Sequence, residues 1–497
     1  MWKYFMKHAL ILFTVFFVTG CDSQSSQKTN SAKNVLIDQF KTSLVNFKKS
    51  AKVDGLAFAV FNNNKIIWQQ FLGNSTYGYP INDKTLFSIQ SISKNFTALA
   101  VMIAVQDSLL DLDLPISYYL PEFKVNSCFE INPEKKINLR MLLSHTAGFT
   151  HEAPVGNNYD YAPCSFDDHL KSIRNTWLKF PVGTDYSYSN LGPDLAAKIV
   201  EQVSRMKFND YLKTQVFEPL GMNSTTLDDN KIVINTNKTE GTISSTKTNH
   251  YKIPLIGSGA VYTNLSDFIK YVQLQMNFGE FNGKKLIEKK YLYDMYTIRF
   301  HNYGIGTYID KSDSIYYINH NGSGYGYSAS FLWFPEYNIG AVMLCNKQCT
   351  TFDFCENILR NYSKSKNLVK DNSITDDFNN INGKYFYESD KINDIKKQFC
   401  SNDTLYKADW GKYIGTYAMI FNGLYSTWYA KLAFAFGLYP QKIHIVKKGQ
   451  TLKITSSLGE SVMREYNTGM FFTNGGEVII FNPETPTYKN IKLKKLK

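Results

Sequence analysis

Several features are missing from this chain of 497 residues, and each absence narrows what the protein can be. No internal repeat is evident. The net charge of +12 is spread along the chain, apart from a Lys-rich end at 489–497, and no basic stripe marks a recognition element. The chain therefore lacks the signature of a nucleic-acid binder. Its N-terminal apolar run, residues 9–18, is too short to span a bilayer comfortably.

Cysteine is scarce, and the cysteines lack the paired spacing of a zinc site. Cys345, Cys349 and Cys355 lie close in sequence but do not form C-x-x-C pairs, so a metal site is disfavoured. His151-Glu152 lacks the second histidine that a zinc-protease helix requires. We therefore expect no metal and no other cofactor. The disulfide pairing among the cysteines beyond residue 21 stays open.

What is present is an ordinary globular composition, preceded by an N-terminal segment of the kind found in exported proteins. Hydrophobic residues make up 43% and charged residues 20%, enough for a sizeable core. Lys3 and Lys7 precede the apolar run, and Val18-Thr19-Gly20-Cys21 ends it, as in a secretory signal peptide. The small residues before Cys21 resemble the lipobox of bacterial lipoproteins.

That resemblance implies that the signal peptide 1–20 is cleaved and that Cys21 is diacylated. Two acyl chains anchor a protein stably, because each buried CH₂ contributes about 0.8 kcal/mol. We expect a lipid-anchored protein on the extracytoplasmic face of the bacterial cell envelope. A simple cleaved signal, or an uncleaved anchor with Cys21 as bystander, is the alternative. Inner and outer membrane are not distinguished.

The rest of the chain divides by composition. Residues 21–34 are rich in Ser, Gln, Asn and Lys, which predicts a flexible tether. A large domain follows at 35–360, then a polar linker at 361–382 and a β-rich domain at 383–497. The opening strand of the last domain resembles the small lipocalin-like domains fused behind some hydrolases, and a small barrel is expected.

Within the large domain, strands lie at both ends and helices between them. Residues 56–72 predict a hairpin and 328–345 predict strands, whereas 91–110, 194–214 and 264–278 predict helices. This order predicts an α+β fold in which the N-terminal and C-terminal strands pair in one antiparallel sheet.

Ser91-Ile92-Ser93-Lys94 is the first candidate for chemistry. A serine and a lysine three apart share one helix face, so the amine can reach the hydroxyl and take its proton if it is neutral. The same spacing recurs elsewhere in the chain. Only this copy follows a β-like segment and opens a buried-looking helix, which is the setting that a reactive serine needs.

Two further motifs follow in order, Tyr188-Ser189-Asn190 and His320-Asn321-Gly322-Ser323. The order S-x-x-K, Y-x-N, H-x-G resembles the serine β-lactamase family of the class C and penicillin-binding type. Supporting segments are similar to that family's at 112–121, 142–149, 217–222 and 257–267. The resemblance covers roughly residues 40–360. It implies a β-lactamase/transpeptidase-like fold, an antiparallel sheet flanked by helices.

The resemblance also implies roles. Ser91 is the acylated nucleophile, and Lys94 and Tyr188 are its proton-transfer pair. Asn190 orients the substrate. Which of the pair is the base stays open, because coupled groups titrate together. His145, within the 142–149 segment, is expected to lie outside the chemistry.

The third motif departs from the family's penicillin-binding members. His320 and Gly322 are expected to line the far wall, and the amides of Ser91 and Ser323 to form the oxyanion hole. Where β-lactamases carry Lys-Thr-Gly this chain has His320, which is mostly neutral at pH 7 and grips a carboxylate less well. His-x-Gly is common in the family's esterases and peptidases.

The expected function is a serine hydrolase acting on a small-molecule or peptide amide or ester. A β-lactamase and a catalytically silent binding lipoprotein are the alternatives, and a ligand-binding role of the last domain is another. Neither the substrate nor the oligomeric state follows from the sequence.

Overall fold

The computed structural model describes these residues: 22–75, 78–158, 163–243, 246–247, 252–382, 410–420, 442–448, 451–456, 459–467, 470–473, 477–481, 487–488 and 491–496. The signal segment 1–20, the expected lipidation residue Cys21 and Cys400 lie outside them. No helix in the described part of the chain combines the length and apolar character needed to cross a membrane.

The chain forms two compact units, Met1–Ser50 and Ala51–Lys497. The described part of the first unit is one helix, α1 (Asp22–Ser50). The flexible tether predicted for 21–34 is therefore wrong from Asp22 onward. Residues 22–34 contain neither glycine nor proline, and extending an existing helix costs little once its first turn has formed.

Among the described residues, the second unit contains the other helices and all the strands. Its helices are α2 (Ser93–Gln106), α3 (Ile116–Tyr119), α4 (Leu139–Leu143), α5 (Phe166–Ile173), α6 (Leu191–Ser204), α7 (Phe208–Leu212), α8 (Glu218–Leu220), α9 (Asp229–Ile234), α10 (Leu265–Met276), α11 (Lys289–Met295), α12 (Phe352–Ser365) and α13 (Asn372–Asn382). Short 3₁₀ turns lie at Gln90–Ile92, Pro133–Lys135, Pro335–Tyr337 and Trp410–Tyr413, and a π-helical turn at Lys213–Phe217.

The strands divide between a central sheet, short ribbons and a barrel. Those of the central sheet are β1 (Gly55–Phe61), β2 (Ile66–Gly73), β9 (Tyr308–Ser312), β10 (Ile315–Gly324), β11 (Tyr327–Phe334) and β12 (Ile339–Cys345). The ribbons are β3 (Phe87–Ser88) with β6 (Tyr262–Thr263), β4 (Thr242–Ile243) with β5 (Thr246–Lys247), and β7 (Glu280–Phe281) with β8 (Lys284–Lys285).

The central sheet is antiparallel, in the order β2-β1-β12-β11-β10-β9. The hairpin predicted at 56–72 is β1 and β2, and β1 pairs with β12 in the register Leu56↔Cys345 to Phe61↔Gly340. The N-terminal and C-terminal strands of the domain thus share one sheet, as the α+β prediction requires. Both β1 and β12 are buried along their whole length, because helices cover the sheet.

Helix α2 runs through the core beside this sheet. Its residues from Ser93 to Ala104 are all buried, which explains why apolar side chains lie nearly all round it. Phe96 stacks on Tyr271 of α10, with 3.7 Å between ring centroids. Asn264 caps α10 by accepting a hydrogen bond from the Asp267 amide at 2.8 Å.

Two predicted elements differ from the structure. The helix expected at 194–214 is broken after Ser204, because Arg205 adopts a left-handed conformation with φ of 58°. The linker expected at 361–382 is wrong, because α13 packs on the domain: Phe378 is fully buried in its core, with Ile374 and Ile381 against the same core. These three residues form an apolar stripe at helical spacing within a polar segment.

The described C-terminal strands close into a barrel, as expected for the small β-rich domain. In barrel order they are β13 (Gly415–Ile420), β14 (Lys442–Lys448), β15 (Thr451–Ser456), β16 (Gly459–Asn467), β17 (Met470–Thr473), β18 (Val478–Ile480), β19 (Thr487–Tyr488) and β20 (Ile491–Lys495). Buried Phe471, Ile445 and Ile454 belong to its core. Lys179 of the large domain pairs with Glu477 of the barrel at 2.9 Å.

Candidate active site

Ser91 lies in the 3₁₀ turn that leads into α2. The residue before it, Gln90, has φ of 49°, a conformation that costs a non-glycine residue about 1–3 kcal/mol. Its side chain donates to Ser88 Oγ at 2.7 Å, and the Ile89 amide donates to the Val261 carbonyl at 3.1 Å. The turn is thus held from both sides, and Ser91 itself stays partly exposed.

Lys94 lies one turn further along, and its amine meets three oxygens. Nζ is 3.0 Å from Ser91 Oγ, 2.7 Å from Asn190 Oδ1 and 3.0 Å from the Ser258 carbonyl oxygen. The amide oxygen and the carbonyl oxygen can only accept hydrogen bonds, so each takes an N–H. A neutral amine has two N–H groups and one lone pair, and its lone pair then faces Ser91.

Burial favours that neutral form. Lys94 is fully buried, and the loss of water lowers its pKa to about 7, although Asp194 and Glu152 act in the opposite direction. A substantial share of the protein therefore carries a neutral Lys94 near neutral pH.

Tyr188 closes the other side of Ser91. Its hydroxyl is hydrogen-bonded to the Ser91 side chain, and Lys94 Nζ lies 4.8 Å from its ring centroid. Burial and the neighbouring Tyr308 raise the pKa of Tyr188 above its ordinary value. Tyr188 therefore keeps its proton near neutral pH, which suits a donor better than a base.

Asn190 is held by a buried carboxylate. Its Nδ2 donates to Glu152 Oε1 at 2.9 Å while its Oδ1 accepts from Lys94. His151 Nδ1 and Asn158 Nδ2 meet the same Glu152 oxygen at 2.9 and 2.7 Å. Burial alone would raise the pKa of Glu152, but His151 and Asn190 bring it below its ordinary value, so it stays ionised.

A second buried carboxylate holds the Ser258 carbonyl in place. Asp194 Oδ1 accepts from the amides of Gly257 and Ser258 at 2.8 and 2.9 Å, and Oδ2 lies 3.1 Å from His169 Nε2. His169 Nδ1 faces the Val155 carbonyl at 2.8 Å, so both ring nitrogens face acceptors, which favours the protonated ring. Burial opposes that charge, but Asp194 raises the pKa of His169 above its ordinary value.

His145 lies inside this site rather than outside it. Its ring centroid is 4.4 Å from that of Tyr188, and its Nδ1 accepts from the Ser189 amide at 3.2 Å. Its carbonyl accepts from the Ser187 amide at 2.9 Å. The expectation that the 142–149 segment lies outside the site is therefore wrong. His145 contacts the Tyr188 ring and accepts hydrogen bonds from the backbone on both sides of Tyr188.

The third motif lies on β10, against the nucleophile turn. Gly322 is so close that a Cβ built on it would lie 1.9 Å from the Ile89 carbonyl oxygen. Ser323 is exposed at the strand edge, where Gln348 Nε2 donates to its Oγ at 3.1 Å. The strand that carries the expected oxyanion donor therefore runs beside Ser91.

His320 is buried behind this edge. Its Nδ1 donates to the Asn321 carbonyl at 2.8 Å, so its Nε2 accepts from the Tyr303 hydroxyl at 3.1 Å. Burial and nearby Lys94 lower the pKa of His320 to about 3. This position therefore presents no cation where β-lactamases carry lysine.

The structure thus brings the predicted site residues Ser91, Lys94, Tyr188 and Asn190 into direct contact, with Gly322 packed on the same turn. Sequence reasoning missed Glu152 and Asp194, which hold the two acceptors of Lys94. Only their closeness to the recognised motifs could have drawn attention to them. No cluster of three or more potential metal ligands occurs in the part of the chain that the structure describes.

The fold and this arrangement are those that the sequence motifs led us to expect of the serine β-lactamase family. The Beta-lactamase family model matches residues 40–362, more than half of the chain, and the chain therefore belongs to the β-lactamase family. The expected family and the expected fold class are both confirmed.

Two curated relatives are similar over the same region. Protein flp of Staphylococcus aureus (strain MRSA252) is 24% identical over 325 residues, which cover 62% of this chain and 62% of that protein. Beta-lactamase-like protein 4 of Dictyostelium discoideum is 24% identical over 376 residues, which cover 67% of this chain and 65% of that protein. The chain thus spans less than two thirds of the length of either relative.

A solved structure shares the fold. The structure of the octameric penicillin-binding protein homologue from Pyrococcus abyssi aligns with a TM-score of 0.59 and 16% identity. The alignment covers 92% of this chain and 99% of that chain. At this identity the likeness concerns the fold alone.

Proposed function

We propose that this protein is a serine hydrolase that forms a covalent acyl-enzyme on Ser91 with an amide or ester substrate. The observation that carries the proposal is the set of partners around Lys94. Two fixed acceptors, Asn190 Oδ1 and the Ser258 carbonyl, take the N–H groups of the neutral amine, and the remaining lone pair faces Ser91 Oγ. A serine with a base so placed is an activated nucleophile.

The proton balance of acylation follows from these contacts. The Ser91 proton passes to Lys94 as Oγ bonds to the substrate carbonyl carbon. The bond to the leaving group then breaks, and Tyr188 gives its proton to the leaving atom. Lys94 returns its extra proton to Tyr188, which restores the starting protonation. Water then attacks the acyl carbon as Lys94 and Tyr188 take one of its protons, and they give that proton to Ser91 Oγ when the bond between Oγ and the acyl group breaks.

The amides of Ser91 and Ser323 are proposed as the donors that bind the oxyanion. The close packing of Gly322 on Ile89 supports this, because it places the end of β10 beside the turn that carries Ser91. Two converging backbone donors stabilise the charge that develops in the tetrahedral intermediate.

The proposed substrate is of the esterase or peptidase type rather than a β-lactam. The reason is His320, which is buried and neutral and offers no fixed cation to a substrate carboxylate. We expect hydrolysis of a chromogenic cephalosporin to be slow or absent. Turnover at the rate of a dedicated β-lactamase would contradict this part of the proposal.

The proposed location is the bacterial cell envelope, with Cys21 lipidated and the enzyme anchored to the membrane. Its support is the N-terminal sequence, in which positive residues, an apolar run and a Val-Thr-Gly-Cys stretch follow one another. Metabolic labelling with a palmitate analogue tests it. Incorporation into the parent and none into Cys21→Ser is the expected result, and equal incorporation would contradict it.

The test of the chemistry is intact mass after exposure to a fluorophosphonate, for the parent and for Ser91→Ala. We expect one adduct on the parent and none on the variant. No adduct on either, with both proteins folded, would overturn the hydrolase proposal. That result would favour a silent binding protein and direct attention to the barrel.

A further inference from the structure

Glu152 is a buried charge that none of the three motifs includes. It lies in the loop after α4 and is 3% exposed. Its partners come from both sides, Asn190 in the site and His151 towards solvent, and His151 is 43% exposed. A buried carboxylate is costly unless it is paired, so its place beside the site calls for a reason.

The first consequence of Glu152 concerns the orientation of the Asn190 amide. An amide can be turned either way, with its oxygen or its NH₂ towards Lys94. The Glu152 carboxylate can only accept hydrogen bonds, so it fixes the NH₂ on its own side and the oxygen on the side of Lys94. Without that constraint, the Asn190 NH₂ could face Lys94 and would compete for the lone pair that Ser91 needs.

The second consequence is electrostatic. Two hydrogen bonds of 2.7 and 2.9 Å through one amide group place the Glu152 carboxylate within about 8 Å of Lys94 Nζ. A negative charge there favours the ammonium form and partly offsets the effect of burial on Lys94.

Other titratable groups also lie around Lys94 and Glu152 and affect the protonation of these two residues. They are Asp194 behind the Ser258 amide, the buried neutral rings of His145 and His320, the Tyr188 phenol, and His151 and His169 facing Glu152. Of these groups, Asp194 and Glu152 are the two that raise the pKa of Lys94.

We propose that Glu152 is a positioning residue for Lys94: it fixes the Asn190 amide so that the lysine lone pair faces Ser91, and its charge sets the pH at which the lysine becomes active. The proposal rests on the proposed serine hydrolase function and deepens it. Glu152 touches no substrate in this role, and it acts through Asn190.

The test is the rate of fluorophosphonate labelling of Ser91 between pH 5 and 9, measured on the full chain by intact mass. Glu152→Gln removes the charge, and its amide oxygen can take the place of Oε1, where Asn158 and Asn190 both donate, so the Asn190 amide keeps its parental orientation. We expect the acid limb of its profile to move to lower pH by about one unit, with the alkaline plateau little changed. A limb at the parental pH would overturn the electrostatic part of the proposal.

Glu152→Asp makes the opposite change, because it keeps the charge and shortens the side chain. We expect the acid limb to stay in place while the plateau falls about tenfold, because a reacting group displaced by part of an ångström loses rate. A profile equal to the parent's would overturn the positioning part. This variant also keeps the proposal testable if Glu152→Gln does not fold.

Glu336→Gln is the matched control, since Glu336 is a buried carboxylate elsewhere, bonded to the Tyr316 amide at 2.9 Å. It is expected to change stability but not the pH profile, and a limb that moves equally in this variant would overturn the proposal. Absence of any Ser91 adduct in the parent would instead refute the proposed function, so the two failures are distinguishable.

Discussion

Replacing Gly322 with alanine tests whether close packing of β10 on the nucleophile turn is needed for activity. The new methyl carbon would lie 1.9 Å from the Ile89 carbonyl oxygen, 2.9 Å from the Ile89 carbonyl carbon and 3.2 Å from Gln90 Cβ. Ordinary contact begins at 3.4 Å, so the strand and the turn must separate by about 1.5 Å. Two of these neighbours are backbone atoms, which no rotamer change can move aside.

The magnitude follows from that separation. A displacement of about 1 Å at reacting groups costs about 10²-fold in rate, and overpacking a buried site costs about 1–3 kcal/mol. We therefore expect Gly322→Ala to fold with reduced stability and to label with a fluorophosphonate at least about 10²-fold more slowly. Labelling kinetics and denaturant unfolding measure the two effects separately.

Gly324→Ala is the matched control on the same strand. Its methyl group would lie 2.6 Å from Gln90 Oε1, and its three nearest neighbours are side-chain atoms of Gln90. Gln90 must shift slightly, but its bond to Ser88 runs through Nε2, so the backbone of the turn can stay in place. We expect its labelling rate to stay within a few-fold of the parent. If Gly322→Ala labels as fast as Gly324→Ala, the inferred approach of β10 to the nucleophile turn is refuted.

Three further predictions follow from the site and its scaffold. Labelling of the parent should rise with pH through a single step near 7, because Lys94 accepts the serine proton only when neutral; a rate that is flat from pH 5 to 9 would contradict this. Tyr188→Phe should reduce turnover of an amide or ester by about 10²–10⁴-fold but reduce fluorophosphonate labelling less, because fluoride leaves without a proton; equal losses would count against the acid role. Asn264→Ala should lower the free energy of unfolding by about 1 kcal/mol through the lost helix cap, with labelling kinetics unchanged, and unaltered denaturant unfolding would contradict it.

The sequence predicted those elements whose pattern is local. The hairpin of β1 and β2 could be predicted because a turn-forming Asn62–Asn64 stretch separates two β-rich runs. The sequence did not predict the helix at 372–382, because only three apolar residues lie in this polar segment. Whether they are buried depends on a core that other parts of the chain form. Composition indicated a linker there, whereas tertiary packing made a helix.

The same distinction applies to the site. Ser91 and Lys94 could be paired because a helix brings residues three apart together. Glu152 and Asp194 could not be placed, since the site groups that they hold, the Asn190 side chain and the Ser258 amide, lie 38 and 64 positions away and no periodicity connects them. The protonation state of Lys94 could not be predicted from the sequence either, because it depends on burial by the whole domain.

The pairing of β1 with β12 has a consequence for the order in which the protein is made. Gly55 donates to the Asn346 side chain across 291 positions of chain. At about 5–20 residues per second, Ser91 leaves the ribosome roughly ten to fifty seconds before the strand that carries Gly322. A nascent or truncated chain therefore holds a serine with ordinary reactivity, and acylating power arises only when synthesis of the large domain is nearly finished.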